Sequence, residues 1–268
     1  MIRVDEQKCI GCGLCVKDCI ANNIILEGTA TGTKKAKVKK SCFECGHCVA
    51  ICPKGAFEAE GYDMSEIKEM KNDEGVLEAD KLLDAIAFRR SVRDYKAKKV
   101  EREKLEKMAE AVRYTATAKN NQDTFVVFVQ EQKDAFQQMV WDYIEGIIPT
   151  KRSEIPRDLL PFAGFLRQKK ADPTNDFLFR NAPVVAFITS DWVLDPGMAA
   201  QNMELVANAQ GLGVLFNGFL AGIVDKSEEL KEWLGISGKK IKGCLLVGYP
   251  NMKYHRTVPR KPANTIWR

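Results

Sequence analysis

Eight of the nine cysteines in this 268-residue chain fall in two copies of one spacing, C-x2-C-x2-C-x3-C, at Cys9, Cys12, Cys15, Cys19 and at Cys42, Cys45, Cys48, Cys52. Thiolates crowded this closely on a short loop can all point inward at one compact inorganic core, which makes the pattern an iron–sulfur address. Structural zinc would use separate C-x2-C pairs. Here a third cysteine follows two residues further on, and His47 and His255 are the only histidines. A disulfide framework needs an oxidising compartment, yet Asp5, Glu6 and Lys8 stand where the apolar core of an export signal would begin. Both alternatives fit less well than iron–sulfur. Cys244 stands apart in an apolar run and reads as a buried structural thiol with no ligand role.

Residues 1 to about 60 resemble the two-cluster bacterial ferredoxins, in which the fourth cysteine of each run serves the other cluster. The resemblance implies one [4Fe–4S] cluster on Cys9, Cys12, Cys15 and Cys52, and a second on Cys42, Cys45, Cys48 and Cys19. Pro53 follows Cys52 as that signature requires, whereas Ile20 follows Cys19. Between the runs, Gly28, Gly32, Lys34, Lys35, Lys37, Lys39 and Lys40 predict a lysine-rich hairpin, with Ala36 and Val38 on one face. It either docks an acidic electron carrier or is a solvated strand that offsets cluster charge, and on sequence alone the plainer second reading is preferred. Residues 1–60 hold nine Lys and Arg against seven Asp and Glu. Each oxidised cluster with its thiolates adds roughly two negative charges, so the loaded region is mildly acidic. The pI of 8.6 is then no argument for nucleic acid, and neither a basic heptad helix nor interleaved aromatics are present.

The chain is long enough for two domains, expected at 1–60 and 80–268 with a charged linker over 61–79 that carries Gly61 and Gly75 and a short helix at Ser65–Met70. The uncharged stretch Leu205–Val224 matches a membrane span in length but contains Asn208, Gln210, Asn217 and four glycines. It reads better as the end of a buried helix, a Gly211 cap, then a strand and a loop. No membrane role and a cytoplasmic location are expected.

The second region alternates helical and extended patterns, predicting an α+β domain with helices covering a mixed sheet. Asp80 caps a helix through Arg89 with Leu82, Leu83 and Ile86 inward, and Leu105, Met108, Ala109 and Val112 form a second apolar stripe. Strands are predicted at Thr124–Val129, Pro183–Thr189 and Gly243–Tyr249, and a helix from Asp195-Pro196 to Gln210.

Four segments of this region, in order, resemble the FMN-dependent nitroreductase family. Phe88-Arg89-Arg90-Ser91-Val92-Arg93-Asp94-Tyr95 looks like its opening R-R-S-x-R motif. The resemblance implies that Arg89, Arg90 and Ser91 contact the FMN phosphate and ribityl chain. Arg93 then lies near the pyrimidine edge, where reduced flavin gathers negative charge. A basic helix end favoured by the macrodipole is the plainer reading of the same residues. Thr117-Ala118-Lys119-Asn120-Asn121-Gln122 is similar to the S-A-x-N-x-Q turn, placing Asn120 at the ring edge and Gln122 near it, although Asp123-Thr124 replaces the usual Pro-Trp. Asparagine there is also ordinary turn chemistry. Gln201-Asn202-Met203-Glu204 through Gly211-Leu212-Gly213 resembles the family's long helix. The following Leu215-Phe216-Asn217-Gly218 would lie beside the flavin, with an amide near Gly218 donating to N5. Val247-Gly248-Tyr249-Pro250 and Pro259-Arg260-Lys261-Pro262 resemble the terminal G-Y-P and basic pair, with Arg260 and Lys261 completing the phosphate cradle. Homodimers with FMN at the subunit interface are a further implication.

Residues 141–180 fit the family less tightly. Pro149, Pro156, Pro161 and Pro173 cut them into pieces bearing Trp141, Phe162, Phe165, Phe177 and Phe179, as in a lid over a flat ring or in dimer packing. No G-x-G-x-x-G after a strand, P-loop or H-E-x-x-H motif is present, so flavin must carry the chemistry. The two resemblances imply a flavoenzyme with an internal wire. An external low-potential donor, ferredoxin or flavodoxin, would reduce the clusters, and FMN would deliver electron pairs to a nitroaromatic, quinone or activated alkene. In a second reading NAD(P)H reduces FMN and the clusters export electrons, and a third is a non-catalytic electron-storage or redox-sensing protein.

Overall fold

The computed structural model describes residues 1–30, 32–39, 42–70 and 77–268. The chain divides into two compact units, Met1–Val76 with Ala118–Asn121, and Leu77–Thr117 with Gln122–Arg268. Lys40 of the expected hairpin and residues 71–76 of the expected linker, Gly75 included, lie outside the described residues.

The first unit is a backbone repeat. Strands β1 (Ile2–Val4) and β4 (Phe57–Ala59) pair antiparallel, as do β2 (Ile24–Gly28) and β3 (Lys34–Val38), the lysine-bearing hairpin. Short helices α1 (Leu14–Asp18) and α2 (His47–Ala50) each start from a left-handed glycine, Gly13 at φ 79° and Gly46 at φ 75°. Gly11 at φ 69° answers Glu44 at φ 53°, and Asn22 at φ 49° answers Gly55 at φ 55°, all at the offset that separates Cys9 from Cys42. The buried set is small: Ile2, Ile24, Ala36, Ala56 and Phe57 with Cys9 and Cys15. The helix expected at Ser65–Met70 is only a 3-10 turn at Met64–Glu66. The Asp63 carboxylate accepts from Ser65 N at 2.9 Å, favouring a local turn, and Ile67 is already extended.

The second unit contains α3 (Ala79–Phe88), α4 (Arg102–Arg113), β5 (Phe125–Val129), α5 (Lys133–Ile147), α6 (Leu160–Ala171), β6 (Val184–Thr189), α7 (Asp195–Ala209), β7 (Gly213–Phe216), α8 (Gly218–Val224), α9 (Glu228–Trp233) and β8 (Ile241–Gly248). Its sheet runs β5-β6-β8-β7 with antiparallel pairing throughout, and a parallel bridge from Ser91 to Val214 gives the edge its mixed character. Alternation on β6 feeds two apolar cores. Val185 and Phe187 face α5, α6, α8 and α9, whereas Val184, Ala186 and Ile188 face α4 and α7. β6 is buried on both faces for that reason, and Cys244 on β8 is buried with it. Among the described residues no helix is long and apolar enough to cross a membrane.

Three expectations are corrected. Leu82, Leu83 and Ile86 of α3 do not point inward but are 38%, 60% and 43% exposed, because helical spacing specifies a stripe and not what covers it. The loop expected after β7 is helix α8: Leu220, Ile223 and Val224 bury one face, and the Asn217 side chain accepts from Leu220 N at 3.0 Å. The aromatics of residues 141–180 are not all free for a lid or a dimer face. Trp141, Phe162 and Phe179 are core, and Pro161 sits in the first turn of α6, where it starts a helix instead of cutting one.

Candidate functional site

In the first unit the cysteines gather around two cavities. One is lined by Cys9, Cys12, Cys15 and Cys52, the other by Cys19, Cys42, Cys45 and Cys48, so each takes three thiols from one run and the fourth from the other. The helices that start at Gly13 and Gly46 carry the last cysteine of each run across. Backbone amides point at the sulfurs: Ala36 N to Cys9 Sγ, Asn23 N to Cys19 Sγ and Ala56 N to Cys52 Sγ, each at 3.3 Å, and Glu44 N to Cys42 Sγ at 3.2 Å. Such donors suit thiolate ligands and tune a centre's potential. Burial, with the neighbouring Cys12 and Cys9 adding, raises the Cys15 thiol, and burial together with Cys42 pushes Cys48 up to about 11. Ligation must therefore displace protons from these thiols. Among the described residues no three His, Cys, Asp or Glu side chains converge on a point for a single metal ion. Four cysteines lining one cavity are the donor set that an iron–sulfur core takes.

In the second unit three of the four motif segments meet at the β7 edge of the sheet. Val92 N donates to Val214 O at 3.0 Å, and a Cβ on Gly213 would stand 2.3 Å from Val92 Cγ2, so only glycine lets the segment lie this close. Tyr95 bridges to Pro250, and its hydroxyl donates to the carbonyls of Val92 at 2.9 Å and Leu246 at 3.1 Å.

Arg89 follows α3 and turns toward α7. Its Nη1 donates to Glu204 Oε1 at 3.4 Å and its Nε lies 3.3 Å from Oε2, on a carboxylate only 1% exposed that also accepts from Gln201 Nε2 at 3.1 Å. The Nε contact is near but misaligned. The Nε atoms of Arg89 and Arg90 are buried donors without an aligned acceptor, and Arg90 Nη2 reaches only the carbonyl of Ala87. Half-buried guanidinium groups with donors to spare fit an oxyanion such as phosphate. Ser91 sits at its bridge beside them, and Arg93 is exposed.

At the other end of β7, Phe216 is exposed and Asn217 is buried. Asn217 Nδ2 donates to Leu178 O at 2.6 Å while its Oδ1 caps α8, so its side chain is committed to structure. Gly218 opens the helix and is exposed, and a Cβ there would meet nothing within 4 Å. Asn120 and Gln122 lie in the turn that precedes β5. Asn120 falls in the first unit, where its Nδ2 donates to the carbonyls of Phe43 at 3.3 Å and Glu44 at 3.1 Å, and Gln122 N donates to Thr117 Oγ1 at 3.0 Å. Both have left-handed backbones, at φ 55° and 50°. Arg260 and Lys261 are exposed on an irregular C-terminal segment.

Sequence reasoning assigned no role to Glu204 or Arg180. A charge at position 204, between Met203 and Ala207 on the buried stripe of α7, was the available signal. Arg180 and Asn181 are left-handed at φ 56° and 53°, pinned by the Asp176 carboxylate, which accepts from Phe179 N at 3.1 Å and Asn181 N at 2.9 Å. The Arg180 guanidinium lies 3.8 Å from the Phe177 ring centre, and burial and then Arg93 lower its pKa.

The chain matches the nitroreductase family over residues 86–249 and the 4Fe-4S dicluster domain over residues 8–57. It is 35% identical over 74 residues to Ferredoxin-3 of Rhodobacter capsulatus, covering 20% of this chain and 73% of that protein. Among solved structures, a nitroreductase with bound FMN from Bacteroides fragilis is 20% identical with a TM-score of 0.55, covering 70% of this chain and 97% of its own. A nitroreductase with bound FMN from Desulfitobacterium hafniense is 24% identical with a TM-score of 0.54, covering 69% and 97%. An FMN-dependent nitroreductase from Clostridium difficile is 20% identical with a TM-score of 0.54, covering 71% and 100%.

Proposed function

This chain belongs to the nitroreductase family and carries a 4Fe-4S dicluster ferredoxin domain ahead of it, and on that ground we propose an FMN-dependent oxidoreductase with a built-in iron–sulfur wire. It takes single electrons from an external low-potential carrier and delivers pairs to a small nitroaromatic, quinone or activated alkene. Residues 1–60 form the wiring domain, 61–79 the connection and 80–268 the catalytic domain. When bound, two [4Fe–4S] clusters supply single-electron carriage and FMN supplies exchange between single electrons and pairs.

The protein's part is to hold these groups. Cys9, Cys12, Cys15 and Cys52 hold one cluster, and Cys42, Cys45, Cys48 and Cys19 the other. Arg89, Arg90 and Ser91 hold the flavin phosphate and ribityl chain, with Glu204 fixing Arg89. Arg93 sets a cation at the pyrimidine edge, where it favours added negative charge, and the Gly218 amide, kept in place by Asn217 and flanked by Phe216, holds N5. In the same reading Asn120 and Gln122 contact the ring edge, and Arg260 and Lys261 complete the phosphate cradle. The exposed apolar face of α3 supports a homodimer.

The observation that carries the proposal is the pair of matched, four-thiol cavities in a chain of this family. Anaerobically purified protein should contain flavin and about eight irons per chain. Reduced ferredoxin should bleach the flavin in it, and a Cys12→Ala variant should lose that response while dithionite still bleaches the flavin. Equal bleaching by ferredoxin in both proteins would remove the wire.

A further inference from the structure

Backbone repeats across the two halves of the first unit, and charge does not. On β1 and β4, Arg3 faces Glu58 across the pair and also meets Glu60 at 3.2 Å, so the strands are balanced. The matching pair β2–β3 sets Lys34, Lys35 and Lys37 against Glu27 alone, with Lys39 following, and of these only Lys37 meets that carboxylate, at 2.8 Å. Lysine commonly protects an exposed strand edge, but β1 and β4 are two-stranded edges of the same kind and carry none. Like charges repeated along one short strand repel each other, so stability does not account for them either.

The lysine strand is also laid against the thiol cavities, with Ala36 lining the first and Val38 the second, and its contacts with the cysteine loops are at the first. Ala36 N donates to Cys9 Sγ at 3.3 Å, and Lys35 Nζ donates to the Cys9 carbonyl. A Cβ on Gly11 would stand 2.2 Å from the Lys34 carbonyl oxygen, so backbone meets backbone there. Lys34 is exposed beside this contact, Lys37 and Lys39 are exposed further along the chain, and Cys12 on the contacted loop is exposed. A cluster with its four thiolates carries roughly two negative charges, which repel an acidic protein. Lysines beside it reverse the local sign.

We infer that the β2–β3 hairpin is the docking surface for a small acidic one-electron carrier protein, whose electron enters at the centre held by Cys9, Cys12, Cys15 and Cys52. This rests on the wiring reading above. In the step no bond forms or breaks: the carrier is oxidised by one electron, the centre is reduced by one, and no proton need move.

The test uses anaerobic holoprotein mixed in a stopped-flow apparatus with a reduced ferredoxin of net negative charge, across a range of ionic strength. The K34E/K37E/K39E variant should show a second-order rate lower by about tenfold or more at low salt, and should lose the steep fall with salt expected of the wild type. Equal reduction of both proteins by dithionite, with equal iron content, establishes that the variant is intact. Should it fail to load iron, K34Q/K37Q/K39Q replaces it, with a smaller drop and a flattened salt slope expected. A control reversing Lys107, Lys151 and Lys240 should leave the rate unchanged. Rates and slopes that match the wild type overturn the docking surface alone, whereas a wild type that the carrier never reduces sinks the donor reading together with it.

Discussion

The two units bury their chains by different means. The second closes β6 on both faces under separate layers of helices, with Phe136, Phe179, Phe187 and Met203 fully enclosed. The first has, among its described residues, two two-stranded ribbons and two α-helices of five and four residues, and its core includes two of the thiols themselves. A chain of that size has too little interior to offset the entropy of ordering it, and small domains of this kind take the deficit from metal ligation or cross-links. One unit is therefore expected to fold on its side chains, the other on what its thiols hold.

The sharpest break in that contrast is removal of iron. Chelation under reducing, anaerobic conditions should unfold the first unit outright while the second keeps a cooperative melt, as followed by circular dichroism. A first unit that keeps its native spectrum without iron would erase the distinction. Phe187→Ala should act the other way, costing the second unit about 3–5 kcal/mol by thermal or urea unfolding while iron content stays constant. Glu204→Ala should cost about 1–3 kcal/mol by leaving the half-buried Arg89 guanidinium without its carboxylate. The same change should weaken FMN more than riboflavin in fluorescence titrations, because only FMN has the phosphate. The smallest effect belongs to Glu101, whose carboxyl is held down at about 2 by the Tyr249 hydroxyl and then by Lys98. Its folded value lies below the ordinary 4.5, so the contribution is present above that pH and is lost as pH falls toward 2. Glu101→Gln should flatten the acid side of the second unit's melting curve over that window.

Local chemistry made much of this legible. The cysteine runs, the β5, β6 and β8 strands, and α7 from Asp195-Pro196 to its end at Gly211, with φ 76°, all have signals in short stretches of sequence. What escaped were relations between distant segments. Periodicity found the stripe on α3 but could not say that it stays uncovered in one chain. Gly218 and Gly222 lowered the helical signal of α8, which is decided by burial of Leu220 and Ile223 under the sheet. The aromatics of 141–180 looked free for a ligand because nothing local reveals that Phe165 stacks on Phe177 with centroids 4.6 Å apart. Arg89 matched a motif, yet the partner that orients it lies 115 positions away on another helix.

Cys244 has a practical consequence. It is buried, and that burial raises its thiol well above the usual range, so the one cysteine outside the two runs stays protonated and shielded while the fold persists. Alkylation of the native chain, read by intact mass, should then count freed cluster positions alone. A ninth adduct would announce global unfolding, giving cofactor loss and collapse of the sheet separate marks on one spectrum.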